Sequence, residues 1–173
     1  MNHDAYLALG ANLGDRLRTL VEAAARIARL GESGIGSHSN VYETAPVGGP
    51  PGQPDYLNAV VKTETCGSPH DLLAGCLAIE RDLGRQRSVP DGPRTIDIDI
   101  LLYDDVVLFS DDLIIPHPRL HTRCFVLQPL VDIEPALVHP GLGATVGELL
   151  ERLPKWERSA ARRVADVGWV ASG

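Results

Sequence analysis

Two aspartates set two residues apart, Asp97 and Asp99, are the residues of this 173-residue chain whose spacing most directly suggests chemistry. They alternate with Ile96, Ile98 and Ile100. In a strand this alternation sends the isoleucines to one face and both carboxylates to the other, with Cα atoms roughly 6–7 Å apart. Like charges that close are costly unless a cation lies between them. A few hard oxygen ligands suit Mg²⁺ shared with phosphate oxygens. A solvated polar face of an edge strand accounts for this segment equally well when it is read alone. Its neighbours shift the balance. Arg94 lies just before the strand, and Arg85 and Arg87 belong to the preceding loop. Guanidinium forks match phosphate oxygens and offset charge that develops during phosphoryl transfer. Both signs crowding one loop–strand junction favour a Mg-nucleotide site over ordinary surface ion pairs.

A second group carries the opposite character. Tyr56 and Asn58 share one face of their strand, and a ring beside an amide can hold a flat heterocycle by stacking and paired hydrogen bonds. Ordinary strand packing explains the pair if it stands alone. His117 sits between Pro116 and Pro118, on a backbone with restricted freedom. The other histidines, at positions 3, 38, 70, 121 and 139, form no hydrolase set with the available serines. No Gly-x-x-x-x-Gly-Lys-Ser/Thr loop occurs, which excludes a P-loop kinase, and Gly10 and Gly14 are too sparse for a dinucleotide fingerprint. Cys66, Cys76 and Cys124 are odd in number and lack a Cys-x-x-Cys spacing. They read as reduced, mostly packed thiols rather than a disulfide framework or zinc site.

The elements that must position these groups follow from periodicity. Ala5–Leu9 reads as a first strand. Leu17 to Leu30 recurs at helical spacing and stops at Gly31. Ser37–Thr44 and Tyr56–Glu64 read as strands around a Gly/Pro-rich loop over 45–54. Asp71–Leu83 reads as a second helix, with Ser68-Pro69 at its start and Gly84 at its end. The strand at 95–100 follows a polar loop, and Val106–Phe109 is expected to pair with it across Asp104-Asp105. Helices are expected over Arg123–Val131 and Val146–Leu153, while the tail 154–173 has no assignment. The order strand, helix, strand, strand, helix, strand is a ferredoxin-like βαββαβ core of the α+β class. It places helices on one face of an antiparallel sheet and adds C-terminal helices, all in a single domain over residues 1–173.

Composition sets outer limits. Hydrophobic residues make up 44% and charged residues 23%, an ordinary globular balance. A formal net charge of -7 disfavours duplex nucleic acid as a partner. It leaves room for a small anion held by local arginines. No apolar run approaches the roughly 18 residues of a membrane span, and the first residues lack a signal-peptide layout. A cytoplasmic location and a monomer are the default expectations.

Taken together, the chain resembles the 6-hydroxymethyl-7,8-dihydropterin pyrophosphokinase family from about Ala5 to Pro140. The stretches that carry the resemblance are Leu9–Gly14, Tyr42–Gly48, Gln53–Asn58, Ile79–Arg85, Gly92–Ile100 and Ile115–Phe125. The run Gly92-Pro93-Arg94-Thr95-Ile96-Asp97-Ile98-Asp99-Ile100 is the most specific of them. The resemblance implies a ferredoxin-like fold, ATP as co-substrate, two Mg²⁺ ions, and transfer of a pyrophosphoryl group to the pterin hydroxymethyl oxygen with release of AMP. It implies that Asp97 and Asp99 hold metal. Thr44, Val47, Tyr56, Asn58 and Phe125 would form a pterin pocket. Glu80, Arg85, Arg87, Arg94, His117 and Arg123 would face the nucleotide, with Arg85 and Arg94 acting in catalysis.

The chain departs from the family pattern on the nucleotide side. Val89-Pro90-Asp91 stands where Arg-Trp often precedes Gly-Pro-Arg, Leu77 where glutamine is common, Asp112 where some members have arginine, and Pro118 where some have tyrosine. The 85–94 loop is expected to close over the triphosphate. Two rival readings are a ferredoxin-like nucleotide- or pterin-binding module without catalysis and a Mg-dependent transferase with another acceptor.

Overall fold

The computed structural model describes residues 2–31, 34–85, 92–164 and 168–170. Its centre is an antiparallel sheet in which β1 (His3–Ala11) lies between β4 (Tyr56–Thr65) and β5 (Asp97–Tyr103). The outer side of β4 pairs with β2 (Ile35–His38) and β3 (Tyr42–Thr44). The order β5-β1-β4-β3, with β2 also on β4, is the expected ferredoxin-like core.

Alternation along the strands divides the interior in two. On one face Leu7, Leu9, Ala11, Ala59, Val61, Ile98 and Ile100 pack against α1 (Arg16–Ile27) and α2 (Pro69–Asp82). The first helix is started by Asp15, whose side chain accepts the Arg18 N–H, and it buries the stripe Leu20, Ala23, Ala24 and Ile27. The second carries a reciprocal capping box between Ser68 and Asp71, with Pro69 at its first turn. Gly84, at φ 82°, follows its end in a backbone conformation that side chains disfavour. On the other face Tyr6, Val60 and Leu101 pack against α3 (Cys124–Ile133) and α4 (Val146–Arg152). Thus α1 and α2 lie together on one face, and the C-terminal helices cover part of the opposite one. No described helix is long and apolar enough to cross a membrane. Cys76 and Cys124 are buried and Cys66 is exposed, all three free.

Three local expectations are corrected. The strand expected over Ser37–Thr44 is broken into β2 and β3, because Ser39 takes the Val60 N–H on its hydroxyl while Asp132 of α3 binds both nitrogens of Asn40. These side-chain bonds replace ladder bonds at the break. Val106–Phe109 does not pair with β5. Instead β6 (Leu108–Phe109) pairs with β7 (Ile114–Ile115). Asp104, at φ 46°, turns the chain away from β5, and the Ser110 N–H closes a tighter turn onto Leu113 O at 3.0 Å. Finally, the tail carries order that its weak patterning hid. After α5 (Lys155–Arg158), β8 (Arg162–Arg163) adds to β3 at the sheet edge.

Trp169 completes this edge. It is only 3% exposed, packs into the α1–α2 core, and donates its indole N–H to Ser39 O at 2.8 Å. Trp169→Ala should therefore destabilise the protein by about 3 kcal/mol or more, the usual cost of emptying a buried aromatic position. At roughly 2–4 °C per kcal/mol, the melting temperature should fall by about 6–12 °C. A thermal melt unchanged within about 2 °C would show that the tail is not part of the core.

Candidate active site

The cleft opens where the sheet face is not covered by α3 and α4. The ladder places Asp97 opposite Gly10 and Asp99 opposite Ala8, and on the other side of β1 it places Asn58 opposite Gly10. Small residues on β1 therefore leave a floor between the acidic strand and the amide-bearing strand. Two interstrand spacings separate Asp97 from Asn58, about 10 Å at the backbone. Gly10 keeps this floor open beside Asn58. A Cβ there would stand 3.3 Å from Asn58 Oδ1 and 3.8 Å from the Tyr56 ring.

One wall of the cleft is heterocycle-like in its demands. Thr44, Ala45, Pro46, Val47 and Gly48 line it together with Tyr56, Asn58, Phe125 and Val126. Asn58 Nδ2 donates to Thr44 Oγ1 at 2.7 Å in a buried bond, which orients the amide. The other wall is ionic, formed by Arg94, Asp97, Asp99, His117 and Arg123. The Arg123 guanidinium lies 5.3 Å from the centre of the Phe125 ring, where the two walls meet. The cleft is open to solvent at its mouth.

Charge within the ionic wall is unevenly compensated. Asp97 accepts from Arg85 at 2.6 Å on one oxygen and from Arg94 at 2.5 Å on the other. Arg85 also pairs with Glu80, whose carboxylate accepts the Ile98 N–H at 2.8 Å. Glu80 is 3% exposed, and burial pushes its pKa up despite Arg85 and the Ile98 amide. Asp99 has His117 Nε2 at 3.9 Å. Although its side chain is two-fifths exposed toward the cleft mouth, desolvation at the cleft floor, then the adjacent Asp97 charge, raises the Asp99 carboxyl to about 7. His117 is driven the other way, to about 4, first by burial and then by Arg123 and Arg119. It is neutral at pH 7. Its Nδ1 accepts the Arg119 N–H at 3.1 Å, so Nε2 carries the ring proton and faces Asp99.

Of the residues singled out from the sequence, Thr44, Val47, Tyr56, Asn58, Phe125, Arg94, Asp97, Asp99, His117 and Arg123 come together in this one cleft. Arg85 and Glu80 stand behind Asp97 and are not among the lining residues. Arg87 and the Val89-Pro90-Asp91 departure lie outside the described residues, as does most of the loop expected to close over the triphosphate. Asn12 was missed as a site residue. It is 2% exposed, accepts the Arg94 N–H at 2.9 Å, gives its own N–H to Arg94 O at 3.2 Å, and donates its side-chain amide to Pro54 O at 3.1 Å. It thereby ties the segment bearing Arg94 to the loop preceding Tyr56. The sequence signal was only a polar residue at the end of a buried strand, which reads as a turn.

The chain is similar to known proteins. Residues 6–135 match the family model for 7,8-dihydro-6-hydroxymethylpterin-pyrophosphokinase. The chain is 44% identical over 133 residues to the 2-amino-4-hydroxy-6-hydroxymethyldihydropteridine pyrophosphokinase of Bacillus subtilis, covering 77% of this chain and 79% of that one. It is 41% identical over 153 residues to the folic acid synthesis protein fol1 of Schizosaccharomyces pombe, covering 88% of this chain and 21% of that protein. The chain thus spans about a fifth of the length of such longer relatives. Among solved structures, Plasmodium falciparum HPPK-DHPS with pterin and p-hydroxybenzoate superposes with a TM-score of 0.74 at 17% identity, over 94% of this chain and 45% of that one. That likeness concerns the fold.

The Asp99 environment has a measurable consequence. Its carboxyl is raised in the folded chain, so the associated stability is full below the ordinary carboxylate pKa and is lost as pH rises through about 7. Asp99→Asn removes this cost. With the side chain two-fifths exposed, solvent screening reduces the benefit to about 1 kcal/mol. The ligand-free variant should melt roughly 2–4 °C above the unsubstituted protein at pH 8, with the gap closing toward pH 4. A gap that widened on acidification would mean that the carboxylate is stabilised by its surroundings.

Proposed function

The chain belongs to the 7,8-dihydro-6-hydroxymethylpterin-pyrophosphokinase family, and we propose that it transfers pyrophosphate from ATP to the hydroxymethyl group of 6-hydroxymethyl-7,8-dihydropterin in folate biosynthesis. The observation that carries this reading is the joining of a flat, amide-bearing pocket and an arginine–carboxylate wall in one cleft. In the reaction the hydroxymethyl oxygen bonds to the β-phosphorus of ATP, the bond from that phosphorus to the α,β-bridging oxygen breaks, and AMP departs. A loose transition state of this kind asks chiefly for alignment and charge neutralisation.

The residues divide these tasks. Tyr56 and Phe125 would offer ring faces to the pterin. The oriented Asn58 amide, steadied by Thr44, would pair with its polar edge, and Val47 would cover the rim. Arg94, Arg123 and the Nε2–H of His117 would face phosphate oxygens. Arg85 would reach them from its position behind Asp97, with Glu80 holding that arginine.

The donor set fits Mg²⁺. Asp97 and Asp99 present hard oxygens on one strand face, and Asp99 is left short of compensating charge. Such an ion would be held by one or two carboxylates and completed by substrate phosphates. When bound, Mg²⁺ would neutralise triphosphate charge. Because Asp97, Asp99, Arg94 and His117 are all present, a binding module without catalysis is the weaker reading.

Incubation with ATP, Mg²⁺ and the hydroxymethyl pterin should yield AMP and the pterin pyrophosphate. ADP as product would instead indicate a simple kinase. Asp97→Ala and Asp99→Ala should each lower turnover by about a hundredfold or more with the fold retained, since a lost metal ligand is worth several kcal/mol. Near-normal turnover at moderate Mg²⁺ would remove the metal assignment. Asn58→Ala should weaken pterin binding by roughly 5- to 150-fold, the equivalent of about 1–3 kcal/mol, while nucleotide affinity stays nearly constant. Calorimetry with pterin and a non-hydrolysable ATP analogue separates the two ligands, and a larger loss on the nucleotide side would mean the two walls are assigned in reverse.

A further inference from the structure

The family match ends at residue 135, yet the chain beyond it reaches back to the acceptor wall. Strand β8 pairs with β3, placing Arg163 opposite Tyr42 and Arg162 opposite Glu43, and the Val164 N–H continues the ladder onto Val41 O at 2.9 Å. Strand β3 is three residues long and ends at Thr44, the partner of Asn58. Alternation puts Thr44 on the cleft face and Glu43 on the opposite face, toward α1.

Glu43 is held there between two cations. Arg162 pairs with Oε1, and Arg16 of α1 pairs with Oε2 at 3.0 Å. A second amino group of Arg16 donates to Asp55 O at 2.7 Å. Asp55 directly precedes Tyr56, and Tyr56 pairs with Thr44 across the ladder. The chain of contacts Arg162–Glu43–Arg16–Asp55 therefore ties both stems of the loop over 45–55 from behind, and part of that loop lines the acceptor wall. The Glu43 carboxyl is held low by Arg162, against the effect of burial, with Arg16 adding to the shift. It remains charged across the neutral range.

We propose that Arg162, acting through Glu43, is a positioning residue for the acceptor half of the cleft. It sets the spacing of Thr44, Tyr56 and Asn58 without touching either substrate. This inference rests on the pyrophosphokinase reading of the same cleft. The Arg162 side chain is 73% exposed, so the pair adds little to global stability, and its loss is felt as altered pocket geometry.

The test uses the full chain with Arg162→Ala, Arg162→Lys, Glu43→Gln and the double variant Arg162→Ala/Glu43→Gln. Arg162→Ala should raise the KM for the pterin by roughly three- to tenfold. The KM for ATP and kcat should stay within about twofold. Glu43→Gln should give the same signature, the double variant should add little to either single change, and Arg162→Lys should recover most of the loss. An unchanged pterin KM, equal rises in both KM values, or additive single effects would overturn the proposal. Hydrogen exchange of the ligand-free protein provides a readout independent of activity. Amides of residues 42–44 and 56–58 should exchange faster in Arg162→Ala, and unchanged exchange would also overturn it. Failure of the unsubstituted protein to form AMP while exchange responds as stated would count against the pyrophosphokinase reading and leave the positioning role standing.

Discussion

Repulsion between Asp97 and Asp99 is the constraint around which this cleft is built. Strand alternation forces both carboxylates onto one face of β5, and the fold must then manage two negative charges in a partly enclosed space. It does so asymmetrically. Asp97 receives Arg85 and Arg94, and Arg85 is in turn fixed by the buried Glu80. Glu80 accepts the Ile98 N–H, so the ion chain is anchored to the backbone of the strand that bears the aspartates. Among the described residues Asp99 receives no comparable partner, and its carboxyl is raised by burial and the Asp97 charge. In the proposed reading this carboxylate is where a cation would sit, and neutral His117 beside it adds no competing positive charge.

The same asymmetry explains why so many polar residues cluster beneath the ionic wall. Arginines that neutralise Asp97 in the ligand-free chain are also those suited to phosphate oxygens. A polyanion and its metal can exchange partners with them while preserving charge balance, because each guanidinium leaves one anion for another. Asn12 keeps this exchange local. By bonding both backbone groups of Arg94 and the carbonyl of Pro54, it fixes the main chain on either side of the cleft independently of the ion pairs that the side chains make.

What the sequence made legible were the features that depend on near neighbours. Alternation at Ile96–Ile100, the Ser68-Pro69 helix start and the Gly84 stop all rest on contacts within a few residues. The gathering of ten proposed residues in one cleft required more, and came from the resemblance of ordered runs rather than from spacing. Contacts across long separations stayed hidden. Asn12 meets Arg94, Glu43 meets Arg162, and Ser39 meets Trp169, and no local pattern announces any of these pairs. The same limit explains the β6–β7 pairing. Val106–Phe109 has strand composition, but a tight turn at Ser110–Leu113 supplies a nearer partner than β5. Glu80, set on the nucleotide side by the resemblance alone, is buried beneath Asp97 and pairs with Arg85, a placement no local pattern announces.

The two halves of the cleft belong to different strands, yet their separation is not left to side chains. The acidic residues are carried by β5 and the amide by β4, and both strands are bonded along their length to β1. The distance between the proposed acceptor and phosphate sites is therefore set by two backbone ladders, with Gly10 and Ala8 keeping the space between them clear. Ladder hydrogen bonds deep in a sheet open only with extensive unfolding, so this spacing is among the stiffest features of the molecule. The loops and the tail can then alter how firmly each ligand is gripped without changing how far apart the ligands lie. In an in-line transfer, where displacement of the reacting atoms is severely penalised, that division lets binding vary while the reacting geometry is held constant.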